Sequence, residues 1–352
     1  MSFAALPDII RDGSPVKRYM SRRAVWVPGV DLPVQMSPWR GKAAYGGHVY
    51  SQAGLVASRA FSESRASVQA GQPLRQFGIH TIHGYFSEAG LVDRAFIYEV
   101  TTIAANHSFH NVLVKVRQPK TPSTSRNGDH YPLEDAKESL GPVCFSAVVS
   151  FRPATRSQLD IQEPSAQTRY ANILSLRPSS AWDPAPSVDI AAVLEAFPSR
   201  EAGSFPIVDM KKVDMTAFNE GKPLYDRREL LLYRLIAPLP ASDPDAHIVA
   251  HAYEADRNGL LMIGNHIGFG HNFGRAASLS YSFVVHVNPS DAVMKFGEDE
   301  WWIQECSFPR VEAGRGIIMS KIWSPSGVHV ATEYQDGIIQ RPWGPDERQG
   351  KL

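Results

Sequence analysis
The sequence predicts an α+β protein in which one long helix and an antiparallel sheet occur twice in the same order. Three observations carry that expectation. At 352 residues the chain has room for two domains of ordinary size. Each half shows a stretch of helical periodicity followed by a series of strand-like runs. A segment rich in Pro and Ser lies between the halves.

In the first half a strand is expected over residues 24–27 and a helix over residues 46–64. Val49, Ala53, Val56 and Ala60 recur there at helical spacing and make an apolar stripe. Runs rich in β-branched and aromatic residues follow at 79–86, 96–103, 108–116 and 143–151. The second half repeats the plan, with a strand at 229–236 and a helix over 244–261. Its later strands are expected at 278–287, 301–306, 316–323 and 328–334. Residues 119–141 are rich in Pro, Ser and charge, and so long a connection reads as a functional lid or a disordered segment. Residues 155–188 read as linker, followed by a short helix at 190–197.

Composition removes several function classes. Lys plus Arg equals Asp plus Glu, 36 against 36, so the chain lacks the cationic excess with which proteins grip nucleic acid. A local basic patch for a phosphorylated ligand stays open. Cys144 and Cys306 are too few for a disulfide framework and match a reducing compartment. No apolar run is long enough to span a membrane, and the first twenty residues lack the apolar core of a secretory signal. Gly350-Lys351-Leu352 is similar to the Ser-Lys-Leu peroxisomal address with Gly in place of Ser, and it is equally well read as an ordinary charged tail. A peroxisomal or a cytoplasmic location is expected.

Individual residues invite chemistry with different force. Asp256 follows Val249, Ala252 and Tyr253 at helical spacing, which places its carboxylate on their apolar face of the expected helix. Partial burial there raises a carboxyl toward the range of a general base. A structural acid paired with Arg257 or Arg275, or a solvated helix end, explains the same spacing. Ser278 has no nucleophile context, because the Gly-x-Ser-x-Gly elbow is absent from the chain. Gln335, taken alone, is a polar residue at a strand end. Gly46 and Gly47 precede the first helical stripe, where free amides favour negative charge on a carbonyl or phosphate oxygen, or where small residues serve tight packing.

His247 and His251 share a helix face. Ile248 stands where zinc peptidases place a glutamate, and no third ligand is evident, so no metal is expected. The glycine-rich run from Gly268 to Gly274 has the wrong spacing and surroundings for a dinucleotide loop. It reads as a loop joining the second helix to its next strand, in which Phe269 and Phe273 line the mouth of a site or pack into loop and core.

Five segments, in order, resemble the type II acyl-CoA thioesterase family. Tyr45-Gly46-Gly47-His48-Val49-Tyr50-Ser51-Gln52-Ala53 is similar to the opening of its first helix, and Ile79-His80-Thr81-Ile82-His83-Gly84-Tyr85-Phe86 to the next strand. Asn106-His107-Ser108-Phe109 through Gln118 resembles its following turn and strand. In the second half, Tyr253-Glu254-Ala255-Asp256-Arg257-Asn258 resembles the segment bearing the family's acid, and Ala331-Thr332-Glu333-Tyr334-Gln335-Asp336-Gly337 the strand bearing its glutamine. The resemblance implies a double hotdog, two hotdog domains that each wrap a long helix in a curved antiparallel sheet and together share a continuous sheet. The implied domains are residues 20–152 and 201–345, with 153–200 as linker and the active site in the second.

It also implies hydrolysis of acyl-CoA thioesters by water activated through Asp256, Ser278 and Gln335, without a cofactor. Gly46, Gly47, Phe269, Phe273 and Tyr281 become the expected substrate contacts. The expected partner is acyl-CoA or a related small molecule, and because hotdog proteins usually pair, a homo-oligomer is compatible with the resemblance. One departure stands out. Ser280 and Tyr281 replace the acid and histidine that usually follow the family's Ser or Thr. A repurposed double hotdog, acting as dehydratase, isomerase or cyclase on a polyketide-like molecule, is the alternative. A non-catalytic acyl-binding protein is the third reading.

Overall fold
The computed structural model describes residues 3–25, 43–68, 76–124, 130–185, 207–257, 259–269 and 275–340. Contacts divide the chain into two compact units. One comprises Met1–Ile161, Leu239–Glu254 and Ser282–Met294, and the other Gln162–Pro238, Ala255–Tyr281 and Lys295–Leu352.

The first unit opens with two strands that the sequence reading did not anticipate, β1 (Phe3–Arg11) and β2 (Ser14–Ser21). They form a hairpin through Asp12-Gly13, whose φ angles of 52° and 76° suit an Asp-Gly turn. The strand expected at 24–27 is corrected: Ala24 and Val25 lie outside any strand, and residues 26–27 fall outside the described residues. Helix α1 (Gly46–Val68) follows, with Val49, Ala53, Val56 and Ala60 buried. It packs on β3 (Phe77–Phe86), β4 (Ile97–Ala105), β5 (His110–Pro119) and β6 (Leu140–Pro153). The order β1-β2-β4-β5-β6-β3 is antiparallel throughout. Tyr50 crosses from α1 to donate to the Ile82 carbonyl at 3.0 Å, and Phe61 stacks on Phe151 at 4.4 Å between centroids. Within the segment read as a lid or disordered, Tyr131 is buried and donates its hydroxyl to the Val92 carbonyl at 2.6 Å.

Helix α2 (Pro244–Ala255) contributes a buried carboxylate to this unit. The pairing of β3 with β6 shifts register between Ile79 and Thr81, and such a bulge leaves a backbone amide outside the ladder. Asp245 accepts from the Ile79 amide at 2.8 Å and from the Ser58 hydroxyl at 2.5 Å. Burial raises its carboxyl to about 6, against the lowering pull of those two bonds. The folded chain therefore holds this proton up to a higher pH than the unfolded chain does. Its contribution to stability is present in acid and is lost as pH rises through about 6. Asp245→Asn keeps an acceptor for Ile79 and carries no charge. The variant is expected to exceed the native chain in stability at pH about 8 and to lose that advantage near pH about 4, measured as thermal midpoints.

The second unit holds β7 (Asp183–Pro184), β8 (Val208–Lys212), β9 (Arg228–Leu235), the first part of β10 (Arg275–Val285), β11 (Trp302–Glu312), β12 (Arg315–Trp323) and β13 (His329–Gln340). Their order is β10-β13-β12-β11-β9-β8-β7. Helix α3 (Gly259–His266) packs on β12 and β13. Part of the stretch read as linker joins this core. Ala166, Tyr170 and Trp182 are buried with Leu230, Trp301 and Trp323. Arg169 grips Glu305 of β11 with both terminal nitrogens, at 2.6 and 2.5 Å, and Tyr170 and Trp323 also donate to that carboxylate. The short helix expected at 190–197 lies outside the described residues.

Candidate active site
The helix expected over 244–261 is two helices, and the interruption falls at Asp256. In an unbroken helix the Ala255 carbonyl would accept from the amide of residue 259. Here the side-chain amide of Gln304, a fully buried residue of β11, donates to that carbonyl at 2.9 Å. Arg257, also buried, commits its guanidinium to the Ala185 carbonyl at 2.7 Å and to the Met210 sulfur at 2.9 Å. Asp256 is thus the first residue beyond α2, not a member of its apolar face, and it remains buried at 6% exposure.

The three residues expected to act together do meet, and all belong to the second unit. Gln335 of β13 donates its side-chain amide to Asp256 Oδ1 and, at 2.8 Å, to the half-buried Ser278 Oγ of β10. A carboxylate oxygen only accepts, so the amide must present its nitrogen on that side. Gln335 Oε1 is then a buried acceptor with no partner among the described residues. Gly259 makes this approach feasible: a Cβ at that position would lie 2.3 Å from Gln335 Oε1 and 2.9 Å from Ile318 Cδ1. Gly259→Ala is accordingly expected to displace the Gln335 amide. If the site is catalytic, turnover falls by about 10²-fold for a shift near 1 Å, read as kcat on a chain whose thermal midpoint is measured alongside.

The other expected contacts are placed as follows. Gly46 and Gly47 form the first turn of α1, in the first unit, with Gly47 buried. Tyr281 of β10 is enclosed at 1% exposure. Phe269 is half-buried just beyond α3, where its amide bonds the Gly264 carbonyl at 2.8 Å and closes the helix end. Phe273 lies outside the described residues. His247 and His251 each direct Nε2 at a backbone carbonyl, of Pro240 at 3.2 Å and Ala292 at 2.9 Å. Burial lowers His251 to about 3, which keeps that ring neutral.

Sequence reasoning missed two buried polar residues on the interior face. Gln304 stood in an apolar run and carried no motif. Glu333, fully buried, lies two positions before Gln335 and so shares its face of β13. That spacing was the one signal available. Ser320 of β12 pairs across from Glu333 and accepts from Gln304 at 3.1 Å.

No family model matches the chain. Human acyl-coenzyme A thioesterase 8 is 21% identical over 328 residues, covering 90% of this chain and 83% of the human protein. The mouse protein of the same name is 21% identical over 311 residues, with 84% and 80% covered. Among solved structures, the acyl-CoA thioesterase II TesB2 of Mycobacterium marinum superposes with a TM-score of 0.56 at 21% identity, covering 93% of each chain. A thioesterase II of Thermobifida fusca, so described on a provisional basis, gives 0.53 at 11% identity and 92% coverage of each. A hotdog-fold protein of unknown function from Alicyclobacillus acidocaldarius gives 0.51 at 12% identity, with 97% of each chain covered. The chain is an α+β double-hotdog protein. The human and mouse proteins that it resembles in sequence, and the M. marinum protein that it resembles in fold, are acyl-CoA thioesterases.

Proposed function
We propose that this protein hydrolyses acyl-CoA thioesters, with Asp256 as general base. The single observation that carries the reading is the Gln335 amide tied at once to Asp256 and to Ser278, in a buried part of a double hotdog. Gln335 holds the carboxylate in place and leaves its own Oε1 as an acceptor for a water hydrogen. Asp256 removes a proton as the water oxygen attacks the thioester carbonyl. The tetrahedral adduct then collapses, the carbon–sulfur bond breaks, and the thiolate takes up a proton to leave as free coenzyme A. The products are one acid and one thiol, and no residue is acylated.

Gly46, Gly47, Phe269, Phe273 and Tyr281 remain the proposed substrate contacts. The two glycines open α1, and amides at the start of a helix favour negative charge. The phenylalanines suit the acyl chain. Among the described residues no helix is long and apolar enough to cross a membrane. The test is thiol release from acyl-CoAs of graded length. Turnover of at least one length is expected, and a chain that turns over none of them refutes the reading.

A further inference from the structure
The geometry points to Gln304 as a positioning residue for Asp256, an inference that rests on the proposed hydrolysis. A general base works only if its carboxylate is held where it can take the proton of the attacking water, and a misplacement of about 1 Å costs on the order of 10²-fold in rate. Gln335 holds Asp256 at its carboxylate end. At the other end, the Ala255 carbonyl is among the last of α2 and lacks an intrahelical donor. Gln304 supplies that donor. Its Nε2 binds the Ala255 carbonyl at 2.9 Å and the Ser320 hydroxyl at 3.1 Å, and its side chain is fully buried.

The orientation of this amide is fixed by chemistry. The Ala255 carbonyl only accepts, so the nitrogen must face it, and Gln304 Oε1 is left buried without a partner among the described residues. The bond uses a carbonyl that a continuous helix would pair with the amide of residue 259. Gln304 therefore fixes the peptide that joins Ala255 to Asp256, and with it the point from which the carboxylate projects toward Gln335.

The experiment compares the full-length native chain with Gln304→Met and Ser320→Ala. Each chain is assayed for thiol release on whichever acyl-CoA the native protein turns over fastest, for thermal midpoint, and for amide exchange across residues 253–260. Gln304→Met is expected to lower kcat by about 10- to 100-fold with KM little changed, and to speed exchange in that segment. Ser320→Ala removes the other bond of Gln304 and keeps the one to Ala255. A comparable fall in midpoint with near-native kcat and exchange is expected. Native kcat in Gln304→Met, or kcat losses that simply follow the midpoint in both variants, overturns the inference.

Should Gln304→Met fail to fold, Gln304→Glu serves. As a neutral acid it donates to Ala255, and as an ion it cannot. Its kcat should fall with rising pH where the native profile is flat, and a profile parallel to native overturns the inference. A native chain that releases no thiol refutes the hydrolysis itself, and the exchange measurement still reads the anchor on its own.

Discussion

Asp256→Asn lowers thiol release by about 10²- to 10⁴-fold, the range expected when a general base is removed from a hydrolytic site. The substitution is nearly isosteric, and an asparagine oxygen still accepts from Gln335 Nε2, so the local packing around the buried Asp256 position survives. The thermal midpoint should therefore stay near native while kcat collapses. KM should change little, because the lost group acts on water rather than on the bound thioester. Gln335→Met separates holding from proton transfer. It keeps the carboxylate but removes the amide that holds it, and a smaller loss than that of Asp256→Asn is expected. Unchanged kcat in Asp256→Asn would mean that the site at the end of α2 does not activate the water.

The second large effect concerns stability. Arg169→Met leaves Glu305, 4% exposed, without its bidentate cation. Burial alone would raise that carboxyl, but the bonds from Arg169, Tyr170 and Trp323 outweigh it and hold it below the usual carboxylate range. Removing one partner of a buried pair strands the other charge, and here the loss is expected at about 2–3 kcal/mol, moderated because Arg169 is 27% exposed. A carboxyl held low in the folded state stabilises it above the unfolded value. That contribution disappears as pH falls through the folded value. Native and variant denaturation midpoints should therefore differ most near neutrality and converge in acid. The double variant Arg169→Met with Glu305→Leu should recover much of the loss, since no charge is then buried alone. A single variant as stable as native would show that the grip between Arg169 and β11 contributes little.

What the sequence revealed depended on whether the deciding interactions were local. The α1 stripe and the runs that became β3, β4, β5 and β6 were readable because their apolar spacing is set within each element. The hairpin β1–β2 was not read. Its first strand is an edge strand, half exposed, with Pro7 where the register shifts, and these features blur the alternation that marks a strand. The break at Asp256 was also hidden. Gln304, which takes the Ala255 carbonyl, is 49 positions away, and nothing in the spacing of residues 244–261 announces it.

The site itself was legible only through the resemblance. Asp256, Ser278 and Gln335 have no shared periodicity, and spacing alone left the acid paired with Arg257 or Arg275 or solvated at a helix end. In the structure Arg257 donates to Ala185 and Met210, and Gln335 donates to Asp256. The linker reading shows the same limit. Pro and Ser content described residues 155–188 well, but the burial of Tyr170 and Trp182 depends on strands that lie later in the chain.

The measurement that tests the central claim most directly is a single-turnover reaction of the native chain with acyl-CoAs, following free thiol, free acid and the intact protein mass together. Water activation by Asp256 predicts that thiol and acid appear in step and that the protein mass never changes. An acylated protein on the path would contradict the direct attack of water, and an absence of thiol from every acyl-CoA would contradict thioester hydrolysis itself.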